Sequence, residues 1–138
     1  MLSQIIYALP FLAEGFAVTL WVSLLVVVLS LIAGVLMGVG LVYGPAPLRW
    51  AVRIFSDTIR GIPILVLIFF VYYGLPAVGL HLESFWAAVL ALTLFKTAQV
   101  VEYLRGAVGS IPKGQSEAAM AIGLTFRQRL AYVIFRAG

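Results

Sequence analysis

Cysteine is absent from all 138 residues, and histidine occurs once, at His81. No disulfide framework and no thiolate metal site can therefore be built, and one imidazole cannot make a metal cluster. Charge is scarce too. Only 10% of the residues are charged, whereas an ordinary soluble domain carries about a quarter. No phosphate-cradling loop, nucleophile triad or metal-ligand spacing occurs, so the sequence predicts no catalytic residues, no metal and no cofactor bound by this chain. The N-terminus lacks a basic n-region and a short apolar core with a cleavage site, so it is not read as a secretory signal peptide. What the chain does have is apolar side chains, at 64% of positions. That excess is too large for a water-facing surface. The length would suit one soluble domain, but the composition makes lipid the solvent.

Three apolar runs are long enough to matter. Residues 16–42 carry no charge, and crossing the hydrocarbon takes about 20 apolar residues. A second charge-free run, 61–80, opens Gly61-Ile62-Pro63, and proline is tolerated where a helix begins. A third, 84–104, is interrupted in its second half by Lys96, Gln99 and Glu102. The fold class predicted is all-α and polytopic: three transmembrane helices, and the start of a fourth at Leu130 to Phe135.

The nine basic residues orient these spans. Arg49, Arg53 and Arg60 lie between the first two runs, and Arg105, Lys113, Arg127, Arg129 and Arg136 follow the third. Lys96 completes the set, and neither residues 1–15 nor the turn at His81 holds any. Lys and Arg concentrate in cytoplasmic loops. The N-terminus is therefore expected outside, and residues 106–128 in the cytoplasm. The same placement explains the net charge of +4 without a nucleic-acid partner.

Smaller patterns fit this frame. Ser30, Gly34 and Gly38 share one face of the first span, where small residues permit close helix approach; glycine is also simply common in membrane helices. Tyr43, Trp50, Tyr72, Tyr73 and Trp86 fall near the expected interfaces, where aromatic belts anchor. Leu48, Val52, Phe55 and Ile59 form an apolar stripe opposite Arg49, Arg53, Ser56 and Arg60. That pattern predicts a helix lying along the membrane surface or extending the second span inward, its stripe used for packing. Lys96, Gln99 and Tyr103 share a face of the third span. A mid-span lysine costs about 2.5–3.5 kcal/mol, and each apolar neighbour returns roughly 0.3–0.6 kcal/mol. Intramembrane charges mark functional sites by default, which makes Lys96 and Gln99 candidates for the substrate path, binding a carboxylate or amide. The alternative is that Lys96 snorkels or pairs with a carboxylate of another helix. His81 and Glu83 read as exposed turn residues.

After Arg105 the punctuation changes. Pro112 can start a helix, Gly123 can end it in a left-handed conformation, and Thr125 with Gln128 fits a capping box for a second helix. The segment reads as helix, glycine bend, helix. Such a pair is either a connecting loop or a docking element for a soluble partner.

The text of this loop, Gly114-Gln115-Ser116-Glu117-Ala118-Ala119-Met120-Ala121-Ile122-Gly123, resembles the Glu-Ala-Ala ("EAA") loop of ABC-importer permeases. Arg60-Gly61-Ile62-Pro63 leading to Phe69 through Pro76 is similar to the second span of the polar amino acid permease family. Glu102-Tyr103-Leu104-Arg105-Gly106, Ile111 through Gln115 and Gly15 through Leu20 resemble the same family. The resemblance implies a type I importer architecture and a multi-pass protein of the bacterial inner membrane. It also implies partners: a cytoplasmic ABC ATPase dimer that holds ATP and Mg, a second permease subunit, and an extracytoplasmic amino acid-binding protein. It implies coupling to the ATPase through Gly114, Glu117, Ala118, Ala119 and Gly123, with Glu117 meeting a basic partner group, Gly123 making the bend, and the two alanines keeping the helix slim. ATP would be hydrolysed by the partner, not by this chain.

Two departures stand against that pattern. The family motif continues to Ile or Val, any residue, then Leu-Pro, whereas here Val133-Ile134 is followed by Phe135-Arg136. The family also has five spans. The sequence is therefore expected to be a fragment, a frameshifted product or a truncated reading frame. A truncated subunit that docks partners without transporting is the alternative function. A membrane-embedded enzyme finds too few polar residues in the spans.

Overall fold

The computed structural model describes residues 1–134 and Arg136, and every regular element among them is helical. The expected start of a fourth span corresponds to a π-helical turn, Leu130–Ile134; Phe135 lies outside the described residues.

Helix α1 covers Leu2–Tyr43. The run expected to span, 16–42, lies within this helix, which also takes in residues 2–15 and continues through Pro10. Apart from that proline nothing in the run breaks a helix, and Leu, Ile and Ala favour one. At ~63 Å, α1 is about twice the hydrocarbon thickness. It stops at Gly44, whose ψ of 170° is extended, because the residue before a proline avoids the helical region.

Helix α2, Ala46–Gly61, has Pro45 at its N-cap. Ile62 ends it in extended backbone, again the residue before a proline. Helix α3 (Ile64–Phe69), a π-helical turn (Phe70–Gly74) and the short α4 (Leu75–Ala77) follow. The chain bends by 107° between α2 and the α3–α4 segment, so the two do not form one straight helix. Residues Ile64–Ala77 cover only ~21 Å of rise. Two helices, α1 and α5 (Ser84–Gly109), are long and apolar enough to cross a membrane; a third span exists only if α2 and α3–α4 count as one broken unit.

The packing follows from small residues. Helix α1 runs along α5, with Ser30, Gly34 and Gly38 buried. A methyl on Gly34 would meet Val100 Cβ at 2.5 Å, and one on Gly38 would meet Leu104 Cδ2 at 2.6 Å. The stripe of small residues is thus the seam between the two long helices. Leu41, Val52 and Val101 join α1, α2 and α5, and Leu67, Val71, Ala87 and Ala91 join α3, the π-helical turn and α5. The expected polar face of α2 needs one correction. Ser56 is buried and donates to the Ala98 carbonyl at 3.2 Å. A hydroxyl that finds a carbonyl can be buried, and its small size lets α2 approach α5 closely.

Candidate functional site

Helix α5 leads through Ser110–Pro112 into α6, Lys113–Ala121. The end of α6 is built by Gly123, whose φ is +80°. Gly123 N–H donates to the Met120 carbonyl at 3.0 Å, and Leu124 N–H to that of Ala119 at 3.1 Å. These two bonds are the Schellman closure of a helix. Gly79 (φ +87°) closes α4 in the same way, with Leu80 N–H on the Leu75 carbonyl at 3.0 Å. Beyond Gly123 comes α7, Phe126–Arg129, with a reciprocal capping box: Thr125 N–H donates to Gln128 Oε1 at 2.9 Å, and Gln128 N–H to Thr125 Oγ1 at 3.4 Å. The helix–bend–helix reading of this segment is what the structure has.

The residues singled out on α6 separate into two groups. Gly114, Glu117 and Ala118 are exposed, and nothing lies within 4 Å of where a Gly114 side chain would start. Ala119 is 4% exposed, so its small size serves contact within the loop itself. An apolar hollow of about 420 Å3 lined by Ala118, Ala119, Ile122, Leu124, Tyr132 and Val133 lies on the same segment. The loop is pinned to the long helices by an aromatic contact that the sequence did not announce. Tyr43, the last residue of α1, meets the Phe126 ring edge-on at 5.1 Å, and the Arg129 guanidinium stacks near the same ring at 5.9 Å.

Lys96 and Gln99 lie one turn apart on α5, and Lys96 Nζ donates to Gln99 Oε1 at 3.1 Å. With Tyr103, and with Ser23 and Ser30 from α1, they line an open groove of about 490 Å3. The expected common face exists. A cation, an amide, hydroxyls and apolar walls converge there, a combination that can hold a zwitterion or a carboxylate.

From sequence, Glu102 interrupts the third span and opens a stretch that resembles the permease family, with no partner assigned to it. In the structure it is the hub of an ion cluster. Arg60 Nη1, at the end of α2, lies 3.4 Å from Glu102 Oε2, and Arg105 Nε donates to the same oxygen at 3.1 Å. The signal was available: a carboxylate at the end of a span needs a partner, and Arg60 ends the basic segment between the first two apolar runs.

Two or three membrane-crossing units, an amphipathic elbow helix and a short capped helix pair define a multi-pass helical membrane subunit. Residues 30–138 match the family of binding-protein-dependent transport system inner membrane components. This chain belongs to that family and is a multi-pass inner-membrane protein. It is 40% identical over 127 residues to a probable glutamine ABC transporter permease protein of Bacillus subtilis, which covers 91% of this chain and 58% of that protein. An arginine transport system permease protein of the same organism is 35% identical, covering 90% and 57%. The glutamine transport system permease protein of Escherichia coli K12 is 38% identical, covering 92% and 59%. Among solved structures, an amino acid ABC transporter crystallised with histidines superposes with a TM-score of 0.86 at 29% identity, covering 99% of this chain and 63% of that one. The chain thus spans less than two thirds of the length of these relatives.

Proposed function

We propose that this chain acts as the transmembrane permease subunit of an ATP-binding-cassette importer for polar amino acids. It contributes α1, α3–α4 and α5 to the substrate path and couples them to a cytoplasmic ATPase dimer through α6. A second permease subunit and an extracytoplasmic binding protein complete the assembly. The N-terminus faces outward and residues 106–128 face the cytoplasm. ATP and Mg belong to the ATPase, and this chain hydrolyses nothing. The observation that carries the reading is the capped lever: a nine-residue helix closed by Gly123, joined directly to α5, with Glu117 and Ala118 outward. A partner pressing on α6 displaces α5, and α5 carries Lys96 and Gln99. Alternating access then needs only that ATP and substrate favour different arrangements of these helices.

Co-reconstitution with the ATPase and the binding protein tests this. Substrate-stimulated ATP hydrolysis and uptake are expected, and Glu117→Lys is expected to uncouple hydrolysis from transport while insertion is unchanged. Normal uptake by Glu117→Lys removes the role given to that carboxylate. Because the chain has no cysteine, Gln115→Cys provides a single label site. Reaction with an impermeant maleimide added outside intact cells would place α6 on the wrong side and end the proposal. Co-purification with the ATPase without any uptake would favour a docking subunit instead.

A further inference from the structure

The outer side of α2 presents two arginines that the permease reading does not use. Arg49 and Arg53 are exposed and one turn apart, where like charges repel. Arg60 and Arg105 have carboxylate partners; among the described residues no carboxylate lies within ion-pair distance of Arg49 or Arg53, though Arg53 also borders the recess that holds Asp57 and Glu102. Together with Trp50 and Leu41 they line a recess of about 260 Å3. Leu41, 6% exposed, is its one buried apolar residue and Trp50, 66% exposed, forms an apolar wall; Ile54, 60% exposed, lies beyond the recess on the same helix. The 107° elbow turns α2 out of line with the α3–α4 segment that follows.

We propose that this recess binds the headgroup of an anionic phospholipid, with the phosphodiester between Arg49 and Arg53 and the start of the acyl chains against Trp50, Ile54 and Leu41. Guanidinium groups bind phosphate oxygens in bidentate fashion. An indole favours the level of the headgroups, and a basic amphipathic helix lies in the membrane interface. The exposed apolar side chains beside the arginines, Trp50 within the recess and Ile54 beyond it, point to a lipid rather than to a free phosphate, which gains nothing from either. The inference needs only that α1 and α5 cross the bilayer. It is independent of substrate and of coupling.

The test is titration of the detergent-purified chain with short-chain phosphatidylglycerol, phosphatidylcholine, glycerol 3-phosphate and inorganic phosphate, reading thermal unfolding and lipids retained in native mass spectrometry. Phosphatidylglycerol is expected to bind and stabilise, and the other three are not. Arg49→Gln with Arg53→Gln is expected to weaken phosphatidylglycerol binding roughly thirtyfold. Arg49→Lys with Arg53→Lys keeps the charge and most of the affinity, which separates lost binding from lost folding. Arg127→Gln, elsewhere in the chain, leaves binding unchanged. Equal binding of phosphatidylcholine, or phosphate binding as tight as the lipid, would overturn the proposal. So would undiminished phosphatidylglycerol binding by the double glutamine variant, including the case in which that variant loses only the ATPase on co-purification and thereby makes the arginines a protein contact.

Discussion

Gly34→Ala probes the α1–α5 seam most directly. The added methyl would lie 2.5 Å from both Cβ and Cγ1 of Val100 and 3.3 Å from the Thr97 carbonyl oxygen. Non-bonded carbons rest at about 3.5–4.0 Å, so the shortfall is about 1 Å. Val100 cannot turn away, because one of the two clashing atoms is its Cβ, which is fixed to the backbone. The helices must separate instead, and in lipid the close packing of small residues is what holds them together. Overpacking costs about 1–3 kcal/mol, and alanine returns about 0.5–1 kcal/mol over glycine within a helix. The net expectation is a loss of about 1 kcal/mol, within a range of about 0–2.5 kcal/mol. Denaturation by SDS in mixed micelles, followed by tryptophan fluorescence, measures it. Val100→Ala should not rescue the variant, since its Cβ remains, whereas Val100→Gly should rescue part of the loss. Gly38→Ala should lose less, because its nearest contact is the flexible end of Leu104, Cδ2 at 2.6 Å. Gly106→Ala, with nothing within 4 Å, should be neutral or stabilising. If Gly34→Ala proves as stable as the parent, the seam does not hold the pair together.

Gly123→Ala forces a non-glycine residue to φ +80°, which costs about 1–2 kcal/mol. Hydrogen exchange should quicken across residues 118–124, and unchanged protection there would contradict the Schellman closure. Ser56→Leu puts a larger side chain at a position 2% exposed against α5 and loses the bond to Ala98, so a loss of about 1–3 kcal/mol is expected in the same SDS titration; a neutral result would mean that α2 does not sit tightly on α5. Lys96→Met should weaken the apparent substrate affinity in uptake without lowering the amount inserted, and an unaltered affinity would remove Lys96 from the path.

The helical class and the lipid environment were legible from apolar content and run length, because they depend on composition alone. The capped pair after Pro112 was legible too, since Gly123 and the Thr125–Gln128 box act within a few residues. The groove face of Lys96, Gln99 and Tyr103 followed from helical spacing. Periodicity was a weaker guide on α2, where it set Ser56 among the outward polar residues. It cannot tell a hydroxyl that faces water from one that faces a neighbouring carbonyl. Nor did hydropathy see that α1 begins near Leu2, because a charge-free window marks where a chain can cross lipid, not where its helix starts.

By itself the chain's text determined that this protein is helical and membrane-embedded, and where α6 ends and α7 begins, because hydrophobicity, proline and glycine act locally. Only the tertiary structure decided which partners those helices have: the seam at Gly34, the Arg60–Glu102–Arg105 cluster, the Tyr43–Phe126 contact and the 107° elbow. Each joins residues far apart in sequence or sets a relative direction. Such contacts depend on how whole helices are placed, and no window of neighbouring residues encodes that placement.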